Sequence, residues 1–316
     1  MIHVLDPADE AEWLAMRRQD VTSTETAALF GLSPYTTAFE VWHQKKSGEV
    51  VAFNESERMT WGKRLEPTIA AGVAEDQGWT IEPFKTYIRD DSIRMGSSFD
   101  FRIIDAEQGD GILEIKNVDR QAFAKKWVEH PNGDIEAPEH IELQVQHQME
   151  LSCLNWAVIA ALVGGNELKM IHRERDNAVG IAIRHKISEF WRSIENNEPP
   201  RPDYERDYDR IVRSNLDAVG DEEIDADNDL EDMMFELVEA QAARKNAEAA
   251  EKVAKAKIME RVGTASKVRA SFGTLSCGAS QPTKGKLITP DMVGTYVGAR
   301  QAFRMIRFTP FKLDQA

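Results

Sequence analysis

Cysteine is almost missing from this 316-residue chain, which has only Cys153 and Cys277. Two thiols cannot build a disulfide framework or a zinc cage. Long apolar runs are missing too, none approaching the roughly 18–20 residues of a membrane span, so no membrane association is expected. Residues 1–7 lack the basic region followed by an apolar core that marks a secretory signal, so the cytoplasm is the expected location. Positive charge is scarce overall: 39 Lys and Arg against 54 Asp and Glu leave a net charge of −15. That balance excludes a protein that coats nucleic acid by bulk electrostatics, but not an enzyme with a local basic groove.

The scarcity is uneven. Residues 1–202 carry 22 basic and 34 acidic side chains, residues 203–263 carry 9 and 18, and residues 264–316 carry 8 and 2. The last sixth is thus basic on an otherwise acidic chain. Composition divides the chain accordingly into a core domain over 1–202, an acidic linker over 203–229, a long helix or coiled coil over 230–263, and a basic β-rich appendage over 264–316. The third segment is rich in Ala, Glu and Lys and free of Gly and Pro up to Gly263. In the last, short alternating runs over 268–272 and 302–308 predict strands.

Within the core, residues 9–18 read as a helix ending in Arg17 and Arg18. The run Thr22-Ser23-Thr24 before Glu25 and an apolar stretch is an N-cap signature, with Gly31 closing that helix. Its free N–H groups and hydroxyls, with Arg17 beside them, are candidates to hold a phosphate. Further helices are predicted over 38–46 and 59–78, the second carrying Pro67, which suggests a kink or a later start. Residues 80–89 read as one strand, 119–129 and 138–152 as helices, 156–163 and 168–173 as a hairpin, and 176–196 as a closing amphipathic helix. His140, Gln144 and His147 share helical spacing, which reads better as polar packing over a cleft than as a metal site.

The most informative stretch is 95–117, two apolar runs around a polar turn near 107–111, the pattern of a β-hairpin. Alternation points Leu113 and Ile115 one way and puts Glu114 and Lys116 together on the other face. With Asp100 near the end of the partner run, this set suits metal-assisted phosphodiester hydrolysis. Carboxylates hold a hard cation, and a lysine positions water and offsets phosphate charge. Glu66, on the helix over 59–78, is a candidate further carboxylate. The competing reading is an ion-paired, solvated sheet face.

Several stretches together resemble the YqaJ-type viral recombinases, relatives of bacteriophage lambda exonuclease within the restriction-endonuclease-like PD-(D/E)xK nuclease superfamily. They are residues 17–25, Gly31-Leu-Ser-Pro-Tyr35 with Trp42 following, Trp61-Gly-Lys-Arg-Leu-Glu66, Asp100 with Glu114-Ile-Lys116, and Gln144-Val-Gln146, all within about 10–195. Phe99 and Phe101 stand where the family usually has Pro before and Gly after the metal Asp. The resemblance implies an α/β restriction-endonuclease-like core, a central mixed sheet flanked by helices, with the long helix and small β appendage added. It further implies Asp100 and Glu114 as metal ligands, Lys116 as the catalytic lysine, Glu66 and Gln144 in the active site, and Arg17, Thr22, Ser23 and Thr24 at a 5′ phosphate. The implied activity is a 5′-to-3′ double-strand DNA exonuclease in a bacterial host cell, using Mg²⁺ (two ions, with Mn²⁺ as a substitute). The implied partners are duplex ends, a single-strand-annealing protein and, in a ring trimer, further copies of the chain. The alternatives are an endonuclease with the same core and a catalytically silent DNA-end-binding or scaffolding protein.

Overall fold

A computed structural model describes residues 1–48, 56–105, 107–213, 220 and 223–278. The chain divides into two units, Met1–Ile211 and Val212–Ala316.

The first unit opens with β1 (Ile2–Leu5), α1 (Glu10–Gln19), β2 (Val21–Thr22), α2 (Ser23–Leu29), α3 (Ala38–Ser47) and α4 (Glu57–Gln77). The predicted helices are all present, with shifted ends. Pro67 neither delays nor ends α4, which starts earlier than expected, at Ser56, whose hydroxyl accepts from the Met59 N–H. Gly78, in the left-handed region at φ 67°, closes it.

The single strand expected over 80–89 is two: β3 (Thr80–Pro83) and β4 (Tyr87–Asp90), in different sheets. Pro83 has no N–H to continue a ladder, and the chain turns there. The run over 95–104 divides in the same way, into β5 (Met95–Ser97) and β6 (Phe101–Ile104). Phe99 belongs to one apolar cluster and stacks on Phe84 with ring centroids 4.3 Å apart, while Phe101 belongs to the other. The two phenylalanines around Asp100 thus anchor the crossing from one sheet to the next.

The remaining elements of this unit are β7 (Gly111–Val118), α5 (Arg120–Lys126), β8 (Val128–Glu129), β9 (Ile135–Glu136), α6 (Glu139–Ser152), β10 (Trp156–Val163), β11 (Glu167–Glu174), α7 (Asn177–Glu195) and α8 (Tyr208–Arg213). Four strands form a sheet in the order β1-β4-β5-β2, and five form a second in the order β11-β10-β7-β6-β3. The second is mixed: β7 runs antiparallel to β6 and parallel to β10, with α5 and α6 in the crossover. This is the expected α/β core, a central mixed sheet flanked by helices.

Strand β7 is covered on both faces. Leu113 and Ile115 share a cluster with Ile69, Ala70 and Val73 of α4. Ile112 and Val118 share the other with Ile141, Val145 and Met149 of α6. A strand buried on both sides is read from sequence as a continuous apolar run, and Glu114 interrupts that run.

The boundary expected at 202 moves. Asp207 is buried and accepts the Thr37 hydroxyl at 2.5 Å, and Arg206 donates to the Ser33 carbonyl at 2.9 Å. The first part of the presumed linker is therefore strapped to the core unit, which runs to Ile211.

In the second unit, α9 (Asn228–Val262) is the expected long helix, followed by the hairpin β12 (Lys267–Ala270) and β13 (Gly273–Ser276). The strand expected over 302–308 lies outside the described residues.

Candidate active site

The site grows from the β6–β7 pair. Phe101 faces Leu113 in the register, so one step further along Asp100 faces Glu114. The Ile115 N–H donates to Asp100 Oδ2 at 2.8 Å and fixes that carboxylate over the strand.

Glu114 is 2% exposed, and a lone carboxylate at such depth is costly. Three donors compensate. Lys116 Nζ lies 2.7 Å from Oε1, Gln144 Nε2 donates to the same oxygen at 2.6 Å, and Gln148 Nε2 donates to Oε2 at 2.9 Å. Lys116 also donates to Gln144 Oε1 at 3.1 Å. The two glutamines lie one turn apart on α6 and hold one carboxylate oxygen each. Gln148 reaches the Ser98 carbonyl as well, at 3.2 Å.

Electrostatics follow from this crowding. Burial raises the Asp100 pKa well above the usual carboxylate range, and the Glu114 charge adds to it against the pull of Lys116. Burial also raises that of Glu66, on α4, again with Glu114 adding and Lys116 opposing. For Lys116, burial works against the charge, but Glu114 and Asp100 outweigh it and hold the ammonium form. The structure thus brings Asp100, Glu114, Lys116 and Gln144 together, with Glu66 within electrostatic reach.

The proposed phosphate grip divides. Arg17 donates to the exposed Thr24 hydroxyl at 3.2 Å and lies over the Trp13 ring, 4.7 Å from its centroid. Thr22 and Ser23 are buried and already engaged. Both the N–H and the hydroxyl of Thr22 go to Glu25, at 2.9 and 2.8 Å, and Ser23 receives the Ser97 hydroxyl at 2.9 Å. The start of α2 therefore has an anion of its own, Glu25, and two of the three expected hydroxyls face inward.

A cleft of about 450 Å³ opens beside Lys116 and Gln144, with Thr24, Tyr35, Arg58 and Lys126 among its walls. His140 also lines it, edge-on to Tyr35 at 5.5 Å. Burial, with Lys116 and Lys126 adding, pushes the His140 pKa down to about 4, so the ring is neutral at pH 7. His147 is fully buried against Thr26 and the Gly96 carbonyl. Among the described residues no three His, Cys, Asp or Glu side chains form a metal-holding group. Sequence reasoning gave no role to Gln148, although its spacing from Gln144 placed it on the same helix face. Arg58 and Lys126 carried no such signal.

Residues 12–154 match the model of the YqaJ-like viral recombinase domain. The resemblance read from the sequence is borne out over that stretch, which contains Arg17, Glu66, Asp100, Glu114, Lys116 and Gln144. In particular, the chain is similar to the "Uncharacterized protein YqaJ" of Bacillus subtilis (strain 168), 29% identical over 182 residues, 57% of this chain and 54% of that protein. It thus spans about half the length of the curated relative it matches. Solved structures it is similar to include an alkaline exonuclease, LHK-Exo, from Laribacter hongkongensis, at 20% identity, 60% of this chain, 94% of that chain and a TM-score of 0.47. Another is a phage related exonuclease from Haemophilus somnus 129PT, at 12%, 56%, 94% and 0.41. No helix among the described residues is long and apolar enough to cross a membrane.

Proposed function

We propose that this chain is a Mg²⁺-dependent 5′-to-3′ double-strand DNA exonuclease of phage-type recombination, exposing a 3′ strand for a single-strand-annealing protein. The observation that carries this reading is the buried Glu114, paired with the half-buried Lys116 and facing Asp100 across adjacent strands, inside a YqaJ-like domain.

The donor chemistry fits a hard cation: two oxygen donors meet, one of them with a pKa raised by burial and by the other's charge. Asp100 and Glu114 would hold the ion, with water and phosphate oxygens filling its shell. When bound, the ion supplies a water of lowered pKa and stabilises charge on the phosphate. Lys116 stays protonated near neutrality, so it acts by charge and orientation rather than as a base. Gln144 bridges Lys116 and Glu114 and holds the ammonium beside the cleft. Arg58 and Lys126 give the cleft a basic wall on an otherwise acidic protein, and Arg17 with Thr24 is the candidate grip for a terminal 5′ phosphate.

The test is degradation of a linear 5′-phosphorylated duplex with Mg²⁺ or with chelator, beside a closed circle. Digestion of the linear DNA with Mg²⁺ only, and an intact circle, are expected. Lys116→Ala should be at least ~100-fold slower, the scale for losing a charge-stabilising group. Arg17→Ala should slow the 5′-phosphorylated end more than a 5′-hydroxyl end. A nicked or linearised circle would favour the endonuclease reading, and unchanged turnover of Lys116→Ala would remove this lysine from the site.

A further inference from the structure

Across Asn228–Val262, helix α9 has no buried side chain among the described residues. Its length is about 52 Å at 1.5 Å per residue. Ion pairs within the helix include Arg244 with Glu248 at 3.8 Å and Lys255 with Glu251 at 2.5 Å. Yet it shows large apolar side chains to solvent, Met233 at 61% and Ile258 at 41% exposed.

Part of the apolar set falls on one seam, while Met234, Phe235, Val253 and Met259 lie off it. Counting sevens from Leu230 gives one set of seam positions at 230, 237, 244, 251 and 258, and a second at 233, 240, 247, 254 and 261. The residues there are Leu230, Leu237, Arg244, Glu251 and Ile258, then Met233, Ala240, Ala247, Ala254 and Arg261. The charges have order too. Asp229, Glu231, Asp232, Glu236 and Glu239 make the first half of the helix wholly acidic. From Arg244 to Arg261 six basic side chains outnumber three acidic ones.

We propose that α9 pairs antiparallel with α9 of a second copy of this chain. Parallel pairing would set Arg244 against its own copy and Glu251 against its own copy in the seam, like charges in contact. Antiparallel pairing centred between 245 and 246 removes both clashes. Position i then faces 491 − i, so Arg244 faces Ala247, Glu251 faces Ala240, Leu237 faces Ala254 and Met233 faces Ile258. Leu237, Arg244 and Glu251 each meet an alanine, Met233 and Ile258 meet each other, and the two acidic halves lie on the two basic halves. On the flank of the same seam, where facing positions are offset by two residues from the seam rule, Glu236 meets Lys257 of the other copy, and the two-fold axis repeats that pair. Within one chain these residues are 257 − 236 = 21 positions apart, about 31 Å along the helix, so they cannot pair internally.

The experiment is the mass of the full chain by light scattering over a wide concentration range, for wild type and four variants. Leu237→Lys should abolish the association made by α9. Glu236→Lys and Lys257→Glu should each weaken it roughly tenfold, since each turns two attractions into repulsions. The double variant carrying both exchanges should return to near wild-type affinity. A monomeric wild type overturns the proposal, and so does an oligomer that Leu237→Lys leaves unchanged, since its contacts then lie elsewhere. Loss with Leu237→Lys but no rescue by the double variant overturns the antiparallel register. None of these outcomes depends on whether the core cleaves DNA.

Discussion

His147 is fully buried on α6, taking the Thr26 hydroxyl on Nδ1 at 2.7 Å and donating from Nε2 to the Gly96 carbonyl at 3.1 Å. Those two partners fix its neutral tautomer. Burial, aided by the Arg184 charge, pushes its pKa from 6.5 down to about 3, against the opposing bond to Gly96. As pH falls from the upper value to the lower, the unfolded chain takes up a proton that the folded one refuses. The stability this group confers is therefore complete above pH 6.5 and lost progressively towards pH 3. At pH 4.5 the loss should be on the order of 3 kcal/mol, from ~1.4 kcal/mol per unit. Urea midpoints at pH 7 and 4.5 measure it. His147→Gln, which keeps polar atoms but cannot titrate, should flatten the slope; an unchanged slope would assign the acid sensitivity elsewhere.

At the scale of the element, β7 is the centre of the five-stranded sheet, and its two faces carry different duties. Leu113 is fully buried in the cluster under α4, one residue from Glu114. Leu113→Ala should lower stability by about 2–5 kcal/mol, the range for emptying a buried leucine site. Ile104→Ala, on the neighbouring strand but 40% exposed, should cost clearly less. Denaturant melts of the two variants compare them directly. Equal losses would mean that an exposed side chain holds the sheet as much as a buried one.

For the whole molecule, the strap formed by Arg206 and Asp207 decides where the core can be cut. A fragment ending at Arg213 keeps the bonds to Ser33 and Thr37, and one ending at Pro202 loses them. The longer fragment should fold and keep the proposed nuclease activity. The shorter one should melt several degrees lower, because the Thr37 hydroxyl loses its buried carboxylate partner, a bond worth roughly 1.5–3 kcal/mol. Thermal melts of the two fragments, followed by circular dichroism, give the answer. Identical melting would leave the strap without a stabilising role.

By itself the sequence determined that the helices exist, because the Thr22-to-Glu25 cap and the 3.6-residue rhythm are local signals, while ends such as the start of α4 at Ser56 were not read from it. It also determined that Glu114 and Lys116 share one face of a strand, since alternation needs no tertiary information. The tertiary structure decided what lies far apart in sequence. The breaks of 80–89 and 95–104 between two sheets depend on where Phe84 and Phe99 find each other, a packing choice with no period of its own. The inward turn of Thr22 and Ser23 depends on Ser97 arriving beside them, and the satisfaction of Glu114 depends on α6 laying Gln144 and Gln148 over it. A carboxylate within a strand is legible as a candidate from its residue type and spacing. Only the chain folded back over it supplies the donors that satisfy its oxygens at 2% exposure.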